Sequence, residues 1–158
     1  MKHGIGKMIF KDKGEYYGYW ENGKRHGEGI FTYKNQDIYT GWWKYGIKEG
    51  KGTYVFNNTG MKFVGDWQNG NFVQGKWIFP NGTYFEGIFE NNQPKGKGKW
   101  IFPNHNILEG EYIQIIDPDD QGEPAEGEED EKKVKVKLEW KSSCTIINSA
   151  AGVNSIEQ

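Results

Sequence analysis

Large apolar side chains alternate with polar ones in short runs, and each run is built around a glycine. Five runs read Tyr16-x-Gly18-x-Trp20, Tyr39-x-Gly41-x-Trp43, Phe63-x-Gly65-x-Trp67, Phe85-x-Gly87-x-Phe89 and Leu108-x-Gly110-x-Tyr112. Their glycines recur at 23, 24, 22 and 23 residues, the signature of one supersecondary unit copied end to end. About ten residues further on in each unit comes a second run: Gly29-x-Phe31-x-Tyr33, Gly52-x-Tyr54-x-Phe56, Gly75-x-Trp77-x-Phe79 and Gly98-x-Trp100-x-Phe102. Gly6-x-Met8-x-Phe10 is the same half-unit without its first half. A period of two places all these residues on one face of a strand, so each unit predicts two short strands.

Asn22-Gly23, Tyr45-Gly46 and Asn69-Gly70 lie between the halves, and Asn81-Gly82 lies between units. Such residues favour turns that need positive φ, so hairpin follows hairpin. Glycine normally weakens a strand. Here it leaves room for a large ring from a neighbouring strand to lie across bare backbone. No hairpin of this kind buries its own face alone, and the predicted fold is all-β: an elongated, single-layer, antiparallel β-hairpin solenoid.

After the last run, residues 117–131 hold nine acidic side chains, two prolines and no large apolar residue, which predicts a mobile acidic loop between the repeat sheet of residues 1–116 and a C-terminal segment. Residues 132–140 alternate again, with Val134, Val136, Leu138 and Trp140 on one face. They are expected to form a C-terminal capping strand, antiparallel to residues 111–116, with residues 141–158 as a tail. At the other end, the edge Gly4–Phe10 lacks a preceding strand, which leaves it open to self-association.

Of the 158 residues 25 are aromatic and only Leu108 and Leu138 are leucines, a composition that leaves no amphipathic helix. The face opposite the ring-bearing positions carries Tyr17, Tyr19, Ile30, Trp42, Val55, Ile78, Ile88 and Ile101 among polar residues, more apolar than a solvated face requires. Cys144 is the single cysteine, which fits a reducing compartment. No enzyme chemistry stands out. Gly18 to Lys24 mimics a phosphate loop, but Arg25 stands where a serine or threonine would hold magnesium and the context is a hairpin. His3, His26 and His105 are too scattered for a metal cage, so no catalytic residue, metal or cofactor is expected. Residues 1–116 hold 15 basic and 11 acidic side chains, too small an excess for nucleic acid, and a membrane surface faces the same objection.

The segment from Tyr16 to Gly29, with its Tyr-x-Gly-x-Trp-Glu-Asn-Gly-Lys-Arg-His-Gly order, resembles a nearly complete MORN repeat, and the resemblance covers residues 3–112. It implies a hairpin scaffold used for assembly and tethering. Gly41-Trp-Trp43, residues 59–70 and the proline-bearing unit from Phe89 to Phe102 are similar in order and spacing to the MORN subunit of the radial spoke head in motile cilia and flagella. That resemblance implies a non-enzymatic structural protein of the axoneme whose partners are other radial spoke head proteins. The lysine-rich stretch after residue 131 departs from it. Trp20, Trp42, Trp43, Tyr45, Trp67 and Phe85 are the candidate protein-contact residues, since rigid rings lose little entropy on docking. For Trp20, Trp43 and Trp67 packing within the sheet is the leading expectation, ahead of partner contact. The alternative reading is a module tethering a complex to anionic membranes through Lys24, Arg25, Lys48 and Lys51.

Overall fold

A computed structural model describes residues 1–116, 123–124, 132–133 and 136–148, with side chains for 1–116 and 136–143. Strands β1 (Gly4–Phe10), β2 (Gly14–Glu21), β3 (Lys24–Tyr33), β4 (Ile38–Lys44), β5 (Ile47–Val55) and β6 (Lys62–Gln68) follow one another in space as in sequence. So do β7 (Asn71–Ile78), β8 (Tyr84–Glu90), β9 (Gln93–Ile101) and β10 (Asn106–Ile116), and β13 (Val136–Asn148) closes an 11-stranded antiparallel sheet beside β10. A separate pair joins β11 (Glu123–Pro124) to β12 (Lys132–Lys133). No helix occurs among the described residues.

The predicted turns between the halves form because both central residues can hold positive φ: Asn22 and Gly23 at 49° and 74°, Tyr45 and Gly46 at 46° and 91°, Asn69 and Gly70 at 50° and 83°; at Asn81-Gly82, between units, only Gly82 does, at 89°. These two-residue loops twist in the same sense as the strands they join. Asn91 and Asn92, at 55° and 56°, make the equivalent turn without glycine, which is why the sequence pattern does not flag it.

Register places the run glycines opposite one another throughout. Gly6 faces Gly18, Gly18 faces Gly29, Gly29 faces Gly41, Gly41 faces Gly52, and the row continues through Gly65, Gly75, Gly87 and Gly98 to Gly110. Ser142 of β13 occupies the next place. A seam of bare backbone therefore crosses the sheet at right angles to its strands. Rings lie over it. A methyl group on Gly29 would meet the Tyr16 hydroxyl oxygen at 2.1 Å, one on Gly52 the Tyr39 hydroxyl at 2.3 Å, and one on Gly98 the Phe85 ring at 2.3 Å. Trp140 covers Gly110 in the same way.

Neighbouring rings then meet edge to face across units. Tyr16 sits 5.1 Å from Trp20 and 5.5 Å from Trp43, Tyr39 sits 5.1 Å from Trp43 and 5.2 Å from Trp67, and all four interplanar angles exceed 80°. That geometry suits ring quadrupoles and adds roughly 0.5–1.5 kcal/mol per pair beyond area burial. The Trp20, Trp43 and Trp67 indole N–H groups donate to the carbonyls of Gly6, Gly29 and Gly52, so each ring is also tied to the seam.

The third unit differs because one residue is missing from it. The first two units and the fourth place a left-handed glycine, Gly27, Gly50 or Gly96, in a wide irregularity of the second strand; the third has Val73 there and a narrower one. Phe72 moves in to cover Gly75 and stacks on Phe63 at 4.7 Å.

The capping strand differs from its expected bounds. It begins to be described at Val136 and runs on to Asn148, so residues 141–148 are strand and not tail. The alternation that predicts a strand breaks at Ser142-Ser143 because the ladder shifts there: Leu108 pairs with Ile146 but Gly110 with Ser142, and Ser143 Oγ donates to the bulged Glu109 carbonyl. Within the expected mobile loop Glu123 and Pro124 are paired with Lys133 and Lys132, which the expected capping strand included; the rest of 117–131 and most of the expected tail lie outside the described residues.

Two substitutions on the same seam separate ring contact from mere glycine content. Gly6 has only the Trp20 indole beyond 3.4 Å of a new methyl group, whereas Gly52 has Tyr39 pressed on it. Gly52→Ala should cost about 3 kcal/mol or more, and Gly6→Ala should fall within about 0.5 kcal/mol of the parent. Urea denaturation of both checks it; equal losses would contradict the packing described.

Candidate functional site

The two faces of the sheet have opposite character, and that sorts the candidate residues. On the ring face Trp20, Trp43, Trp67 and Phe85 are buried among Tyr16, Phe31, Tyr39, Phe63, Phe72 and Phe89. Trp42 and Tyr45 are elsewhere, about half exposed at 50 % and 46 %. The structure thus brings four of the six candidates together as packing and leaves two at the surface.

The ring face also absorbs two cations. Arg25 and Lys48 pair with Trp20 and Trp43 at the same position in successive units, where the later units have Phe72 and Pro94. The Arg25 guanidinium lies 4.5 Å from the Trp43 centroid and donates to the Gly46 carbonyl at 2.7 Å, binding one hairpin to the turn of the next. Lys48 is only 6 % exposed; its ammonium stands 5.3–5.8 Å from the rings of Tyr33, Tyr39, Tyr54 and Trp67. Desolvated cation–ring contacts of this kind are worth about 2 kcal/mol. Arg25 and Lys48 therefore serve the sheet interior, while Lys51 lies on the other face paired with Asp66 at 2.6 Å. The four cations of the membrane alternative do not form one patch.

Asp37, the one buried acid among the described residues, accepts from Tyr54 Oη at 2.7 Å, the Asn57 amide at 2.8 Å and Asn35 Nδ2 at 3.2 Å, an arrangement that pins the loop after β3 to the one after β5. Among the described residues no group of three His, Cys, Asp or Glu side chains is placed to hold a metal ion. Nor, among them, is any helix long and apolar enough to cross a membrane.

On the outer face a shallow groove of about 590 Å³ runs over the seam, lined by Ile5, Tyr17, Tyr19, Ile30, Trp42 and Val64 with Glu28, Thr40, Lys51 and Thr53. Tyr17, Tyr19, Ile30 and Trp42 are legible from alternation. Ile5 and Glu28 are not singled out by the sequence, since one sits on the incomplete first unit and the other reads as an ordinary solvated charge. What orients the groove is a pair of bulges. Tyr19 and Trp42 are skipped in the pairing between Gly18 and Trp20 and between Gly41 and Trp43, and a skipped residue leaves its carbonyl outside the ladder. From the opposite face the Tyr16 hydroxyl donates to the Tyr19 carbonyl at 2.9 Å and the Tyr39 hydroxyl to the Trp42 carbonyl at 3.0 Å. The residues that fill the ring face thus hold the backbone of those that project from the other. The Gly27-x-Gly29 and Gly50-x-Gly52 pairs, closing a hairpin longer by two on one strand, are the sequence signal for these bulges.

Burial pushes the Tyr16 phenol up to about 12, with Arg25 opposing, and raises Tyr39 further, with the Glu49 charge adding to burial; Tyr112 also rises through burial. A raised phenol keeps its proton in the folded state after the unfolded chain has lost it near pH 10. Its contribution to stability is therefore complete below about pH 10 and lost as pH rises through about 12. The double variant Tyr16→Phe/Tyr39→Phe should be less stable than the parent at about pH 7, by roughly 1 kcal/mol per lost hydrogen bond. The gap should shrink at about pH 11, where the parent alone carries that proton cost. Denaturant unfolding at the two pH values checks this, and an unchanged gap would contradict it.

Comparison with known proteins agrees with the geometry. The MORN repeat family profile matches five consecutive segments, residues 1–15, 16–38, 39–61, 63–84 and 85–107. No curated protein matches the chain significantly. Solved structures that align include the SAS-4 (dCPAP) TCP domain in complex with a proline-rich motif of Ana2 (dSTIL) of Drosophila melanogaster. That alignment is 19% identical, covers 92% of this chain and 79% of the other, and has a TM-score of 0.37, too loose to transfer a role. MORN repeats are protein- and membrane-binding modules, generally without catalytic activity. With matched segments over most of its length and hairpins whose bounds follow them, this chain belongs to the MORN repeat family.

Proposed function

We propose that the protein is a non-enzymatic structural scaffold of the radial spoke head of motile cilia and flagella, and that it holds neighbouring spoke-head proteins on its outer face. The observation that carries the scaffold reading is Trp42: a half-exposed tryptophan in an apolar groove, on a backbone held from behind by Tyr39. A large ring spends little conformational entropy on docking and makes a strong interface anchor. The spoke-head reading is supported by the likeness of Gly41-Trp-Trp43, of residues 59–70 and of Phe89 to Phe102 to the MORN subunit of that assembly. It places the protein in the axoneme, in a reducing compartment consistent with the lone Cys144. The edge of β1 pairs only with β2 among the described residues, and Gly4–Phe10 is the surface through which copies would join.

Expressed with a tag in a ciliated cell, the full chain should localise to the axoneme and bring down spoke-head proteins. A diffuse or plasma-membrane pattern would overturn the spoke assignment and leave the fold untouched. Trp42→Ala should weaken that capture about tenfold or more with melting almost unchanged, whereas Trp43→Ala, buried among rings, should cost about 3–5 kcal/mol of stability. Equal loss of melting temperature in both variants would refute the division of labour between the faces.

A further inference from the structure

The outer groove contains one charge that no other described residue answers. Its lining has two charged side chains, Glu28 and Lys51. Lys51 is neutralised by Asp66, while Glu28 has no ion pair or hydrogen bond among the described residues. Glu28 is exposed on β3, directly opposite Trp42 on β4. Tyr19 closes from the other side: a methyl group on the neighbouring Gly27 would lie 3.4 Å from Tyr19 Cβ. Glu28 is thus flanked in the groove lining by two half-exposed aromatic residues, both on bulges whose carbonyls are fastened by Tyr16 and Tyr39.

That combination suits a cation. A guanidinium pairs with a carboxylate through parallel hydrogen bonds and stacks on aromatic faces, and both gains are larger where apolar walls exclude water. The strands beneath the groove are paired on both sides, apart from β1, so an occupant crossing them receives no ladder hydrogen bonds and is chosen by its side chains. Resting on the reading of the outer face as the protein-binding face, we infer that the groove takes an extended partner segment presenting an arginine between apolar residues. The guanidinium sits against Glu28 between Tyr19 and Trp42, and the apolar neighbours lie on Tyr17, Ile30 and Val64. A second copy seated face to face is the poorer occupant, because it offers the same unanswered carboxylate. Five strand spacings of ~4.8 Å from β1 to β6 make a groove of ~24 Å, room for roughly eight extended residues.

The test is selection of a random library of peptides about 12 residues long against the full chain. Binders are then remeasured on Trp42→Ala and Glu28→Gln, and with their basic residue replaced by citrulline, which keeps the shape of arginine without its charge. Selected peptides should carry arginine flanked by apolar residues, and citrulline should weaken them about tenfold or more on the parent but far less on Glu28→Gln, where only the ring contacts of the charge are left to lose. Melting of both variants should match the parent. Peptides without a basic residue that still depend on Trp42 would overturn this inference and leave the outer face as the binding face. Peptides indifferent to Trp42→Ala would overturn both readings. Absence of any selected peptide, or a concentration-dependent dimer abolished by Trp42→Ala, would overturn the arginine-bearing partner.

Discussion

A tyrosine lying across two facing glycines, with its hydroxyl on a bulged carbonyl, is the contact on which the rest of the sheet depends. Tyr16 over Gly18 and Gly29, and Tyr39 over Gly41 and Gly52, each remove bare backbone from water and satisfy a carbonyl that the ladder has dropped. Either event alone is unfavourable for a strand: glycine forfeits side-chain packing, and a bulge leaves a polar group unpaired. Together they offset each other. The next unit's tryptophan then packs against the edge of the same tyrosine, which passes the arrangement along the chain.

This economy explains how a single layer of strands holds together without helices or a second sheet packed on it. The ring face is a core in its own right, lined end to end from Phe10 and Phe31 to Tyr112 and Trp140. Arg25 and Lys48 extend it, since a cation among rings replaces lost water by the ring faces. With packing completed on one side, the other side is free to differ from unit to unit. It is aromatic and apolar over β1 to β6 and carries Glu86, Lys97, Lys99, Glu109, Glu111 and Lys141 along the continuing seam. The outer face is thus the one whose side chains folding leaves free to vary.

The fold was legible because its signals repeat. Alternation about Gly18, Gly41, Gly65, Gly87 and Gly110 fixes which residues share a face, and turn pairs such as Asn22-Gly23 fix where strands reverse. The capping strand was legible as far as its alternation lasts, to Trp140, and obscure beyond, where the irregularity opposite Glu109 disrupts the period. The site was harder to read. Alternation puts Trp42 on the face opposite Trp43, but the bulge whose carbonyl Tyr39 fastens appears only once the strands are paired. Glu28 carries no signal at all in the sequence; its isolation emerges only when β4 brings Trp42 opposite it and Asp66 claims Lys51. Spacing encodes faces well, but it does not encode which charges on a face are left over.

The ring face sets the geometry of the outer face through the tyrosine hydroxyls. The most direct measurement is the side-chain χ1 of Trp42, from NMR scalar couplings, in the parent and in Tyr39→Phe. A single rotamer is expected in the parent and averaging between rotamers in the variant, with the strand ladder intact. A Trp42 ring equally fixed, or equally averaged, in both proteins would contradict it.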